Sequence, residues 1–194
     1  YALVIGSNEY KYWNPLETAE NDATVVADIL EHKYNFKVTR LINKGYVEIK
    51  NTIYKMREAL GKEDNLLIYY AGHGFLDKKE NQGYWIPIDA SEDTRAQWIN
   101  NDYITNNLKA SDAKHILVVV DSCFSASLTR SKGEKISSIK EFEKLTKKKT
   151  RIIMTSGGLE PVLDSGGENN HSVFAFAFIK ALKEHNNIFL SNDI

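Results

Sequence analysis

A three-layer α/β/α sandwich around a mostly parallel sheet is the fold that this sequence predicts, on three observations. Short apolar runs rich in β-branched residues, such as Ile116 to Val120 and Arg151 to Thr155, recur along the chain and read as buried strands. Between them lie segments whose apolar residues fall at helical spacing, and that alternation implies parallel pairing with helices on both faces. The 194 residues, 42% hydrophobic and 11% aromatic, are enough for one sizeable core. Nothing in them looks like an inter-domain linker, so one domain is expected.

Taken in order, Ala2 to Ile5 is a short buried strand that ends at the turn residues Gly6-Ser7-Asn8. Thr18 is a plausible N-cap for a helix carrying Ala23, Val26, Ala27, Ile29 and Leu30 at helical spacing. Phe36 to Leu41 alternates apolar and polar residues as a half-buried strand does, and Val47 to Leu60 forms a second amphipathic helix. Leu66 to Tyr70 is a third strand, running into Ala71-Gly72-His73-Gly74. Lys78 to Gln82 reads as a polar loop. Gly83 to Asp89 is extended, and Pro87 argues for a rim position. A helix is expected from Trp98 to Leu108, then the strand Ile116 to Val120, a Lys-, Glu- and Ser-rich surface excursion over Thr129 to Thr150, and the strand Arg151 to Thr155. A glycine-rich loop from Gly157 to Asn170 precedes an apolar helix from Ser172 to about His185. Asn186 and Asn187 stop that helix, and Ile188 to Leu190 begins another element.

Charge excludes some function classes. With 25 basic and 26 acidic side chains there is no global field to attract nucleic acid or an anionic membrane surface. No apolar run approaches the roughly 20 residues that span a bilayer. Cys123 is the only cysteine, so no internal disulfide forms, which suits a reducing cytoplasm. The chain starts at Tyr1 without an initiator methionine or signal peptide, as expected of a segment of something longer, with flanking domains.

Two strands finish on chemistry. Ile116 to Val120 stops at Asp121-Ser122-Cys123-Phe124-Ser125, and Leu66 to Tyr70 stops before His73. Open α/β sheets keep their reactive groups at the carboxyl ends of strands. A free thiol has a pKa of about 8.5 and needs a base to act as a nucleophile at neutral pH; histidine is the usual partner. Gly72 and Gly74 let the backbone turn sharply beside His73. The backbone N–H groups of Gly74 and Cys123 are candidates for an oxyanion hole. A small buried thiol and a loop histidine would present the same residue types; their matched positions after two apolar strands favour the chemical reading. There is no cysteine pair and no His-Glu-x-x-His, so no metal site is expected, and the glycines match neither nucleotide-binding fingerprint.

Tyr69-Tyr70-Ala71-Gly72-His73-Gly74 and Asp121-Ser122-Cys123-Phe124-Ser125 resemble the paired signatures of the caspase-like cysteine peptidases, closest to the metacaspase, paracaspase and bacterial orthocaspase branches. Asn21-Asp22-Ala23, Trp85 to Asp89 and Thr155 to Gly158 also have family counterparts, so the similarity covers nearly the whole chain. The resemblance implies a caspase-like fold in which 1–128 is large-subunit-like, 129–150 a basic linker and 151–194 small-subunit-like and truncated at its C-terminus. It implies a dyad, with His73 as general base and Cys123 as nucleophile, and cleavage within the linker, where Arg130, Lys132, Lys135 and Lys140 offer basic sites before Arg151. The loop from Gly158 to Asp164 is expected to present backbone to an extended substrate.

Specificity follows from acids. Members that cut after aspartate carry glutamine two residues before the cysteine, whereas this chain carries Asp121, which repels an aspartate and attracts a basic side chain. Asp22 matches a second acid of the first pocket in the Arg- or Lys-cutting branches, and Asp164 resembles a third. As residues alone, Asp22 also fits a helix N-terminal acid and Asp164 a turn residue. Relatives usually have glycine where Ala126 stands. No cofactor is required; calcium activation through Asp77, Glu80, Asp89, Glu92 or Asp93 is a minor alternative, and His32, His115, His171 and His185 are expected to be structural. The expected activity is a cytoplasmic endopeptidase acting on peptides or proteins with a basic residue before the cut. A catalytically silent interaction module and a dyad with aspartate specificity are the alternatives.

Overall fold

The computed structural model describes residues 1–122, 149–156 and 166–184. In chain order these form β1 (Ala2–Gly6), α1 (Ala19–His32), β2 (Val38–Ile42), α2 (Tyr46–Ala59), β3 (Asn65–Ala71), β4 (Gly74–Asp77), β5 (Gln82–Trp85), β6 (Ile99–Asn100), α3 (Asn101–Ala110), β7 (His115–Asp121), β8 (Thr150–Thr155) and α4 (Val173–Glu184), with a 3₁₀ turn at Arg95–Gln97. The five long strands make one sheet in the order β2-β1-β3-β7-β8, and every pair in it is parallel.

Alternation along the strands sorts the core into two layers. Leu3, Ile5, Ile68, Tyr70, Val118 and Val120 point to one face and pack on Ile49 and Ile53 of α2 and Ile104 and Leu108 of α3. Ala2, Val4, Leu67, Tyr69 and Val119 point to the other face and pack on Ala23, Val26 and Leu30 of α1 and Phe178 and Leu182 of α4. Each fully buried branched side chain contributes roughly 1.5–3 kcal/mol, so strands buried on both faces hold the layers together. The α1 helix lies flush on β1, since a Cβ on Gly6 would sit 2.5 Å from the Ala23 Cβ.

Helix starts are fixed by groups distant in sequence. Asn8 Oδ1 accepts from Glu20 N–H at 3.0 Å at the head of α1. Thr18 occupies the N-cap position there without a side-chain capping bond. Asp89 Oδ1 accepts from Tyr46 N–H at 2.8 Å and so caps α2.

The structure departs from expectation between residues 74 and 110. The stretch after His73 forms a separate three-stranded antiparallel sheet, β4-β5-β6, rather than a single extended segment. The helix expected from Trp98 begins at Asn101, because Ile99 and Asn100 pair with β5 and the Asn100 side chain accepts from Tyr103 N–H at 2.8 Å, capping α3. The glycine-rich loop over 157–165, the excursion over 129–148 and the element from Ile188 lie outside the described residues.

Candidate active site

His73 stands just past β3, and two phenols hold its backbone. Its N–H donates to Tyr10 Oη at 2.8 Å, and its carbonyl accepts from Tyr70 Oη at 2.7 Å. Gly72 makes room for both, since a Cβ there would lie 2.7 Å from Tyr10 Oη and 3.0 Å from Tyr70 Oη. The imidazole packs against Tyr10 and Trp13, with ring centroids 4.6 and 5.6 Å away. Its Nε2 lies 2.7 Å from the Asn14 carbonyl. A carbonyl only accepts, so Nε2 carries the proton and Nδ1 is left as the basic nitrogen.

The end of β7 is tied to this turn. The two strands pair in register, Ala71 opposite Asp121, and Gly72 N–H donates to the Asp121 carbonyl at 3.3 Å. His73 is thus two residues beyond a paired position on one strand, and Cys123 is two residues beyond its partner on the other. Cys123 lies outside the described residues, as does Ala126. Gly74 opens β4 opposite Trp85 and is half-buried.

Asp22 and Asp121 meet over the face covered by α1 and α4, joined by the two residues that lead into α4. Asp22 is 0% exposed and Asp121 7%. His171 Nδ1–H donates to Asp22 Oδ1 at 2.5 Å, and Ser172 N–H donates to Asp22 Oδ2 at 3.3 Å. Ser172 Oγ–H donates to Asp121 Oδ2 at 2.5 Å while accepting from Ala175 N–H at 2.9 Å. Burial pushes the Asp22 carboxyl above its ordinary range, against the opposing effect of bonds from His171, Ser172 and Thr18. Asn21 Nδ2 donates to the Asn170 carbonyl at 2.9 Å, holding the turn that delivers His171. Asn169 and Asn170 take left-handed conformations, with φ of 60° and 59°, which asparagine tolerates best among residues with a side chain.

His171 is the partner of Asp22, and Ser172 is the partner of Asp121. Only the Ser172-led start of an apolar helix signalled them in the sequence, and nothing there showed which acids they would meet. His32 Nδ1 bonds the Asp28 carbonyl and His115 Nδ1 the Thr150 Oγ1, at 2.8 Å each. Asp164, Arg130, Lys132, Lys135, Lys140 and His185 lie outside the described residues.

Three of the acids considered for calcium make bonds within the fold. Asp77 and Glu80 both pair with Arg95, and Asp89 caps α2. Among the described residues no three His, Cys, Asp or Glu side chains gather as ligands. No helix among them is long and apolar enough to cross a membrane.

In sequence, His73 follows β3 and Cys123 follows β7, which are adjacent parallel strands, and Asp22 and Asp121 are buried. The caspase domain family (Peptidase_C14) matches residues 1–193, and the chain belongs to that family of cysteine peptidases. It is 29% identical over 127 residues to the human mucosa-associated lymphoid tissue lymphoma translocation protein 1, covering 63% of this chain and 15% of that protein. Among solved structures, protein GSU0716 from Geobacter sulfurreducens is similar with 26% identity and a TM-score of 0.54, over 64% of this chain and 50% of that one. Caspase-1 from Spodoptera frugiperda shares the fold, with a TM-score of 0.62 at 16% identity over 94% of this chain and 68% of that one. The chain therefore spans half or less of the first two relatives.

Proposed function

We propose that this domain is an active endopeptidase that cleaves after arginine or lysine, with Cys123 as nucleophile and His73 as general base. The observation that supports the reading is the register of β3 and β7, in which Ala71 pairs with Asp121 on strands about 4.8 Å apart, and His73 and Cys123 each follow two residues later in the sequence. His73 Nδ1 takes the thiol proton, and the thiolate attacks the scissile carbonyl. The backbone N–H groups of Gly74 and Cys123 stabilise the resulting oxyanion, and His73 returns the proton to the leaving amine. Water, deprotonated by His73, then hydrolyses the thioester, releasing the acid and restoring the thiol. The Nε2–H bond to Asn14 orients the ring through each transfer.

Asp22 and Asp121, with Asp164, form the pocket for the basic side chain. Two carboxylates in a poorly solvated site attract a cation strongly and reject an aspartate. In the same division of the chain, 1–128 is the large part, 129–150 the linker and 151–194 the small part. Self-processing falls at Arg130, Lys132, Lys135 or Lys140. Arg151 does not serve, because its guanidinium is bound to backbone carbonyls within the fold. The domain works in the cytoplasm within a longer chain.

A panel of fluorogenic peptides differing only in the residue before the scissile bond, run on wild type and Cys123→Ala with and without calcium, tests the reading. Turnover after Arg or Lys that vanishes in the variant is expected. No turnover under any condition would favour a silent interaction module, and turnover only after Asp would overturn the pocket.

A further inference from the structure

Several buried polar side-chain atoms find no hydrogen-bond partner among the described residues, and the three hydroxyls of that set sit towards the carboxyl end of the sheet: Ser7 Oγ past β1, Tyr69 Oη on β3 and Ser156 Oγ past β8. Unspent buried polar atoms destabilise a fold, so their gathering at the end that carries His73, Asp22 and Asp121 calls for a cause. Tyr69 is the most telling of the three. It is 0% exposed, its ring stacks on Phe178 with centroids 5.9 Å apart, and it points to the same face as Asp22 and Asp121. The charges of Asp121 and Asp22 both act on its phenol and, after burial, help to push its ionisation far above the usual range. Tyr69 therefore stays a neutral hydroxyl, able to donate and to accept.

A phenol beside two carboxylates would ordinarily donate to one of them. Here those acids are bonded by other groups: His171, Ser172 N–H and Thr18 on Asp22, and Ser172 Oγ–H on Asp121. The acids thus supply charge with part of their acceptor capacity already used. Next to them remains an oxygen with nothing bound.

We propose that Tyr69 is a specificity-determining residue of the acidic pocket, its phenol oxygen accepting an N–H of an arginine side chain so that the site favours arginine over lysine. The inference rests on Asp22 and Asp121 being the pocket for the basic residue. Lysine is a compact charge with three donors, which two partly engaged carboxylates can satisfy. Arginine brings five N–H donors in a planar fork and leaves some unpaired unless a further acceptor stands beside the carboxylates. The neutral phenol is that acceptor, and it repels nothing when the pocket is empty. Its cost to the free protein is recovered only when a guanidinium enters.

Tyr69→Phe removes one oxygen and keeps the stacked ring. Matched Arg and Lys peptides are cleaved by wild type and variant while thermal unfolding is followed on the same preparations. The expected result is a fall of about tenfold in the Arg/Lys ratio of kcat/KM, carried by arginine, with a Tm equal to or above that of wild type. An unchanged ratio overturns the assignment. So does a Tm lower by more than about 3 °C, since the hydroxyl would then have a partner within the fold. If wild type cleaves neither peptide, the basic-residue reading fails and this assignment with it, whereas turnover with an unchanged ratio removes the assignment alone.

Discussion

At the amino end of the sheet, the Arg151 guanidinium on β8 donates to the carbonyls of Leu108, Ser111, Ala113, Lys114 and Thr150 at 2.8–3.2 Å. At the carboxyl end, Asp22 and Asp121 are buried side by side, and Ser7, Tyr69 and Ser156 keep hydroxyls with no partner among the described residues. Both ends hold charge within the fold, yet the Arg151 cation spends its donors on the last turn of α3, the loop that follows it and the Thr150 carbonyl, whereas the other end keeps hydroxyls unspent. A satisfied charge holds elements together, whereas buried hydroxyls without a partner leave room for a ligand. The sheet thus has a stabilising base at one end and, on the function proposed above, a substrate platform at the other.

The sharpest way to break this contrast is to remove the base. His73→Ala should lower kcat/KM for a basic peptide by at least about 1,000-fold and leave Tm within about 3 °C, because the ring is half-buried and its backbone bonds to Tyr10 and Tyr70 survive. Asp121→Asn keeps the Ser172 bond but not the charge, and should cost more than tenfold in cleavage after Arg and Lys; undiminished activity would remove the pocket. Arg151→Met works in the opposite direction. It strips five carbonyls of their donor and should cost about 2 kcal/mol, roughly 4–8 °C in Tm for a chain this size, with KM for a basic peptide unchanged. A raised KM in Arg151→Met would mean that the two ends are not separable.

The smallest effects concern pH. The carboxyl of Asp22 is raised by burial, so the folded protein takes up its proton at higher pH than the unfolded chain does. Acidification through that raised value removes the cost of the buried charge and, with it, negative charge from the pocket. Cleavage after basic residues should therefore decline on acidification while Tm holds, and Asp22→Asn should be weakly active at every pH and no less stable at neutral pH. Asp77 behaves in the reverse sense. Glu80 N–H and Arg95 hold its carboxyl below the ordinary range, so it stabilises the fold above about pH 4 and that contribution is lost as pH falls through its lowered value. Asp77→Asn should lower Tm slightly at neutral pH, a difference that closes in acid.

Much of this was legible in the residues. Continuous β-branched runs at Ile116 to Val120 and Leu66 to Tyr70 announce strands buried on both faces, and the acid, thiol and histidine that end them announce the working edge. The hairpin of β4 and β5 was not, since Gly74 to Asp77 has no pattern of its own and becomes a strand only by pairing with Gln82 to Trp85. Nor were the partners of the acids. His171 and Ser172 stand about 150 and 51 residues from Asp22 and Asp121, and only the packing of α4 against α1 brings them together. Asp89, which read as a rim acid, caps α2 because Gly45 admits it: a Cβ there would lie 2.5 Å from its Oδ2. Such contacts depend on chain paths that local pattern does not encode.

Covalent trapping tests the central claim most directly. A peptidyl-arginyl chloromethyl ketone and its aspartyl counterpart, at equal concentration, are incubated with wild type and with His73→Ala, and the adduct is followed by intact mass and located by peptide mapping. The thiolate displaces chloride and forms a thioether, so one mass increment on Cys123 reports nucleophile, base and pocket together. Labelling of wild type by the arginyl reagent at least about tenfold faster than by the aspartyl one, and almost none of His73→Ala, is the predicted result. Faster labelling by the aspartyl reagent, or no adduct on Cys123, would contradict it.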